Sequence, residues 1–138
     1  MVRGEVIIGR ISKLDEYMDF LSKVSNYSKE EYLVDEMIFG ATERFMHLAI
    51  ECVIDIGNHI IADMGYRKPT SNREIFIILH ENGIIDKDLR MNLCNMAGFR
   101  NVLVHDYIDL DREAVYDIVK NNLGDIRDFR MIVIDYIA

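Results

Sequence analysis

Apolar residues along this chain recur mainly at spacings of three and four, the period of a helix face, and no stretch alternates as a strand would. Ile7, Ile11, Leu14, Met18 and Leu21 form a first stripe, which should stop near Asn26. Ser28-Lys29-Glu30-Glu31 has the capping-box spacing, in which a hydroxyl and a carboxylate three residues on satisfy helix-start amides reciprocally. No proline intervenes from there to Gly65. The spacing thus predicts one helix of about 35 residues, about 52 Å at 1.5 Å per residue, with Gly40 and Gly57 as places where it can bend. The only proline, Pro69, marks the loop from Gly65 to Thr70.

Ser71-Asn72-Arg73-Glu74 repeats the capping-box spacing and opens a short apolar helix that Gly83 should end in the left-handed conformation. Asp86 can cap a fourth helix reaching about Asp106 or Tyr107. Asp109 or Asp111 can cap a last one, whose stripe is Val115, Ile118, Val119, Ile126, Phe129, Val133 and Ile137. The expected fold is all-α, an antiparallel bundle of about five helices forming a single domain over residues 1–138.

Composition narrows the classes. Half of the residues are hydrophobic, 29% are charged and proline is nearly absent, which excludes disordered and collagen-like chains. The 16 basic residues against 24 acidic ones give a formal charge of −8, which argues against broad adhesion to phosphate backbones or anionic membranes. Any nucleic-acid site must then be local. Cys52 and Cys94 form no disulfide framework, which fits a reducing compartment, so a cytoplasmic location is expected. The longest purely apolar run, Ile75 to Leu79, is far below the roughly 18 residues of a membrane span, so neither a signal peptide nor a transmembrane helix is expected.

The fourth helix carries the candidate chemistry. Its stripe Leu89, Leu93, Met96, Arg100, Leu103 and Tyr107 places an arginine among apolar positions, where it needs an anionic or carbonyl partner. A second stripe, Met91, Cys94, Gly98, Val102 and His105, lies on roughly the opposite side. With Gly98 allowing a close backbone approach, that side is expected to face a symmetry mate.

The segment Arg100-Asn101-Val102-Leu103-Val104-His105-Asp106-Tyr107 resembles the HepT-like family within the HEPN class of helical ribonucleases. The family motif, an arginine, four residues, a histidine, any residue and a tyrosine, matches at Arg100, His105 and Tyr107, and Asn101 is the polar residue such proteins favour after the arginine. The stretches Glu43 to Asp63 and Ser71 to Asp111 also look like this family. The resemblance implies an endoribonuclease toxin that needs no metal or other cofactor. It implies a homodimer with a composite cleft at the interface, and neutralisation by a cognate nucleotidyltransferase antitoxin. Higher assembly in the complex is left open, and no membrane partner is implied. Carried onto this chain, the resemblance makes His105 the acid–base group for attack of a ribose 2′-hydroxyl on the adjacent phosphodiester. Arg100 is the phosphate holder, and Tyr107 the residue that accepts AMP. These residue types suit the chemistry, since imidazole titrates near neutrality and guanidinium offers phosphate a permanently charged fork.

Helix geometry adds a constraint. Five residues at 100° place His105 about 140° from Arg100, whereas Tyr107 lies about 20° away. Either the helix loosens near His105 or the site takes groups from two protomers. On the long helix, Glu51, Asp55 and His59 recur every four residues. This line resembles no zinc motif and is expected either to orient Arg100 or His105 or to satisfy itself within the bundle, with Glu51 and Asp55 as the candidate partners of Arg100. Arg67, Lys68 and Arg73 are expected to add positive charge near it. His47, His59 and His80 are read as packed or solvated. The rival reading is a noncatalytic helical partner, or substrate-binding subunit, of a small nucleotidyltransferase.

Overall fold

The computed structural model describes residues 4–105 and 110–137, and for His105 the backbone alone. Among these residues there is no strand, and the helices are α1 (Gly4–Val24), α2 (Lys29–Val34), α3 (Glu36–Met64), α4 (Asn72–Glu81), α5 (Lys87–His105) and α6 (Arg112–Ile137). The all-α bundle is as expected, but the long helix expected from Ser28 to Gly65 is divided into α2 and α3.

The division has a local cause at Asp35. Its backbone is extended (φ −105°, ψ 99°), and its Oδ1 accepts the amides of Met37 and Ile38 at 3.1 and 3.2 Å, so the carboxylate starts a new helix. Neither Gly40 nor Gly57 interrupts α3. Gly57 instead serves packing: a β-carbon there would lie 2.6 Å from Ile75 Cγ2, so only hydrogen lets α4 seat against α3.

Other helix ends follow the side chains that flank them. Ser28 and Glu31 form a complete capping box. At α4 only half of one forms, because Ser71 Oγ accepts the Glu74 amide while Glu74 Oε1 reaches one residue further back, to the Thr70 amide at 2.9 Å. Asp86 caps α5 through the Leu89 amide at 2.8 Å, and Asp111 caps α6 through the amides of Glu113 and Ala114. Gly65 (φ 68°) and Gly83 (φ 76°) close α3 and α4 in the left-handed conformation.

α3 is the axis, packed against each of the other five helices. By length and composition it is apolar enough to cross a membrane, but 56% of its most apolar stretch is buried by its neighbours, as befits the central helix of a core. Cross-contacts give the directions. Arg10 meets Asp55 while Phe20 meets Phe45, so α1 runs antiparallel to α3. Arg73 meets Cys94 while His80 meets the Ile85 carbonyl, so α4 and α5 form an antiparallel hairpin. The α1 stripe Ile7, Ile11, Leu14, Met18 and Leu21 is buried as a unit. Of the α6 stripe, Val115, Val119, Ile126, Phe129 and Val133 are buried, and Ile118 and Ile137 are partly so. Full burial of each such aliphatic side chain contributes about 1.5–3 kcal/mol of transfer free energy.

Candidate active site

Leu89, Leu93, Met96 and Leu103 turn one face of α5 into the core, and Arg100, on that face, is drawn in with them to a side-chain exposure of 26%. A guanidinium at that depth needs a counter-charge. α3 supplies it: Arg100 Nε donates to Glu51 Oε1. Nη1 donates to Asn101 Oδ1 at 3.1 Å. Nη2 has no hydrogen-bond partner among the described residues. The arginine is thus gripped along one side, with Nη2 unbonded among the described residues.

Asp55, grouped with Glu51 in the sequence reading, does not reach Arg100. One turn on, it lies about 6 Å further along α3 and is rotated about 40°, and it pairs with Arg10 of α1 at 3.5 Å. His59 lies near Val6, Ala62 and Asp63 at the other end of α3. Among the described residues no three His, Cys, Asp or Glu side chains are grouped to hold a metal ion.

His47 is at the site although the sequence reading set it aside. Its Nε2 lies 3.4 Å from Glu51 Oε1, the oxygen that receives Arg100, and its Nδ1 lies 3.3 Å from Arg44 Nη1. Arginine only donates, so in a neutral ring Nδ1 accepts from Arg44 and Nε2 carries the hydrogen toward Glu51. The signal that would have found His47 is its four-residue spacing to Glu51, the same polar line continued one turn toward the start of α3.

α5 stays helical through His105, so the backbone positions of Arg100 and His105 remain about 140° apart and the helix does not loosen between them. The His105 side chain, Tyr107 and the expected helix end at Asp106 or Tyr107 lie outside the described residues, as does the alternative cap Asp109.

The other side of α5 is covered in part by α4. Cys94 is covered by α4, with Arg73 Nη1 donating to the Cys94 carbonyl at 3.2 Å and Cys94 Sγ donating to the Arg73 carbonyl at 3.3 Å. Gly98 makes room for the same Arg73 side chain, which would be 3.1 Å from a β-carbon there. Met91, expected on the same stripe, is 48% exposed. The basic residues expected to help the site are also engaged elsewhere. Arg73 holds α5, and Arg67 binds Glu81 at 2.8 and 3.0 Å and Glu74 at 3.2 Å, leaving Lys68 exposed. Burial pushes the thiol pKa values of Cys52 and Cys94 up, which keeps them protonated and inert as nucleophiles.

The site thus places an arginine, held on a carboxylate, five residues ahead of a histidine on one helix of the bundle. Residues 13–133 match the family described as Ribonuclease HepT-like, and the chain belongs to that family. It is 33% identical over 111 residues to the tRNA nuclease HepT of Aphanizomenon flos-aquae, covering 80% of this chain and 76% of that protein. It is 30% identical over 130 residues to the mRNA nuclease HepT of Shewanella oneidensis, covering 91% of this chain and 94% of that one. Among solved structures, a toxin–antitoxin complex with AMP-PNP superposes with a TM-score of 0.88 at 27% identity, covering 95% of this chain and 98% of that one. The tri-AMPylated Shewanella oneidensis HEPN toxin in complex with its MNT antitoxin superposes with a TM-score of 0.86 at 28% identity, covering 94% and 97%. The chain is therefore a ribonuclease of the toxin–antitoxin type.

Proposed function

We propose that this ribonuclease is a metal-independent endonuclease toxin that acts as a homodimer in the cytoplasm. In this reading two copies of α5 face one another, and each cleft takes Arg100 from one protomer and His105 from the other. The observation that carries it is the placement of Arg100, half-buried, fixed on Glu51 and Asn101 and with Nη2 unbonded among the described residues, on the helix that also carries His105. Nη2 meets a phosphate oxygen of the substrate. His105 takes the proton of the ribose 2′-hydroxyl, the 2′-oxygen bonds to phosphorus, and the bond to the 5′-oxygen breaks as that oxygen gains a proton. The products are a 2′,3′-cyclic phosphate and a 5′-hydroxyl. Acid–base catalysis contributes about 10² to 10⁴-fold and a charge-stabilising donor about 10² to 10³-fold.

The partner is a nucleotidyltransferase antitoxin that adds AMP to Tyr107, placing bulk and negative charge where the RNA phosphate binds. The AMPylated state of the Shewanella toxin supports this. RNA incubated with the protein in EDTA, followed by end-group analysis, tests the chemistry. Fragments ending in a 2′,3′-cyclic phosphate are expected, and fragments ending in a 3′-hydroxyl would contradict 2′-hydroxyl attack. Mass spectrometry after incubation with the transferase should find AMP on Tyr107 and none on a Tyr107→Phe variant.

A further inference from the structure

Glu51 presents a difficulty for a phosphate-binding arginine, because a carboxylate on the guanidinium competes with the substrate anion. The geometry around Glu51 answers it. One oxygen, Oε1, faces both Arg100 Nε and His47 Nε2, and His47 is itself fixed from behind by Arg44. His47 is mostly enclosed, with 19% of its side chain exposed. In a neutral ring Arg44 selects the tautomer with its proton on Nε2, and Nε2 lies 3.4 Å from Glu51 Oε1, outside hydrogen-bond geometry but close enough for the N–H dipole to offset part of the carboxylate charge that would otherwise fall wholly on Arg100. With a neutral imidazole the four side chains Arg44, His47, Glu51 and Arg100 sum to +1, in a chain of −8.

We propose that His47 is a positioning residue of the ribonuclease site, whose Nε2, 3.4 Å from Glu51 Oε1, offsets part of the carboxylate charge and so keeps Arg100 clamped through Nε, leaving Nη2, unbonded among the described residues, for a substrate phosphate. The proposal rests on Arg100 being the phosphate holder. It gives His47 a role that acts only through Glu51 and Arg100, without contact to RNA.

The test uses the full chain with His47→Leu, His47→Gln, Arg100→Ala and the double variant His47→Leu with Arg100→Ala, each checked by thermal melting. Glutamine places an amide N–H near the position of Nε2, so it is the conservative replacement. His47→Leu should lower kcat/KM on RNA on the order of 10-fold or more, as misplacement of a catalytic group does. His47→Gln should restore most of the loss, and His47→Leu should cost nothing further in the Arg100→Ala background. Parent-like cleavage by His47→Leu, or a loss that persists without Arg100, would overturn the proposal. A readout independent of activity is the Arg100 Nε–H resonance. It should exchange slowly in the parent and in His47→Gln and quickly in His47→Leu, and slow exchange in His47→Leu would also overturn the proposal. A parent that cuts no RNA would overturn the activity assigned to Arg100, and the resonance would then decide the role of His47 by itself.

Discussion

Arg100 of α5 donates through Nε to Glu51 of α3, and this contact joins the motif helix to the axis of the bundle. Glu51→Ala would leave the guanidinium half-buried without its counter-charge. The expected cost is about 1 kcal/mol of stability, at the low end for a charged hydrogen bond because the pair is partly solvated, together with a larger loss of cleavage. Urea denaturation and RNA cleavage on the same preparation check both. A stability loss with unaltered cleavage would remove Glu51 from the site.

The 140° offset between Arg100 and His105 along a continuous helix makes a composite cleft testable by mixing. Arg100→Ala and His105→Ala proteins are each expected to be inactive. After random reassociation, half of the dimers are mixed and each has one intact site, so about a quarter of parental activity should return. No recovery would show that both groups serve from one protomer.

Gly57→Ala should destabilise the fold. Alanine is worth about 1 kcal/mol over glycine within a helix, but the new methyl group would lie 2.6 Å from Ile75 Cγ2, on a buried and β-branched side chain that cannot rotate away. Overpacking of this kind costs about 1–3 kcal/mol, so the net change should be a loss, read as a lower melting temperature. A rise in melting temperature would contradict the close packing of α3 on α4.

Arg67 anchors the loop around Pro69 in a way that acid should undo. Its hydrogen bonds hold the Glu81 carboxyl below its ordinary value of 4.5, and the Thr70 amide, with Arg67 adding to it, does the same for Glu74. A folded-state pKa below the unfolded one gives stabilisation that is complete above about 4.5 and is lost as the pH falls through the lowered values. The stability gap between the parent and Arg67→Ala should therefore be constant from pH 7 to about 5 and narrow below 4.5. A gap that persists at pH 3 would mean the arginine acts by packing alone.

What the sequence disclosed followed from periodicity and caps. The apolar stripes of α1 and α6 were legible because burial on one side imposes the helical period, and Ser28, Asp86, Asp111, Gly65 and Gly83 marked ends through chemistry local to each turn. The break at Asp35 was hidden because an aspartate between two helical stretches looks like any exposed polar position until its side chain turns back on the amides of Met37 and Ile38. At the site, the need of Arg100 for an anion was visible, and so was Glu51 as one of two candidates. The choice between Glu51 and Asp55 depended on how α1 and α5 divide the circumference of α3, a tertiary fact. His47 was missed because a histidine on a polar line becomes informative only once its neighbours, Arg44 and Glu51, are known to converge on it.

The measurement that bears most directly on the account is cleavage of tRNA and mRNA, in EDTA, by the parent beside Arg100→Ala and His105→Ala proteins shown to be folded by circular dichroism. The parent should cut at least one of these RNAs, with each variant slower on the order of 10²-fold or more. A parent that cuts no faster than its folded variants would contradict the assignment of Arg100 and His105 as the ribonuclease site.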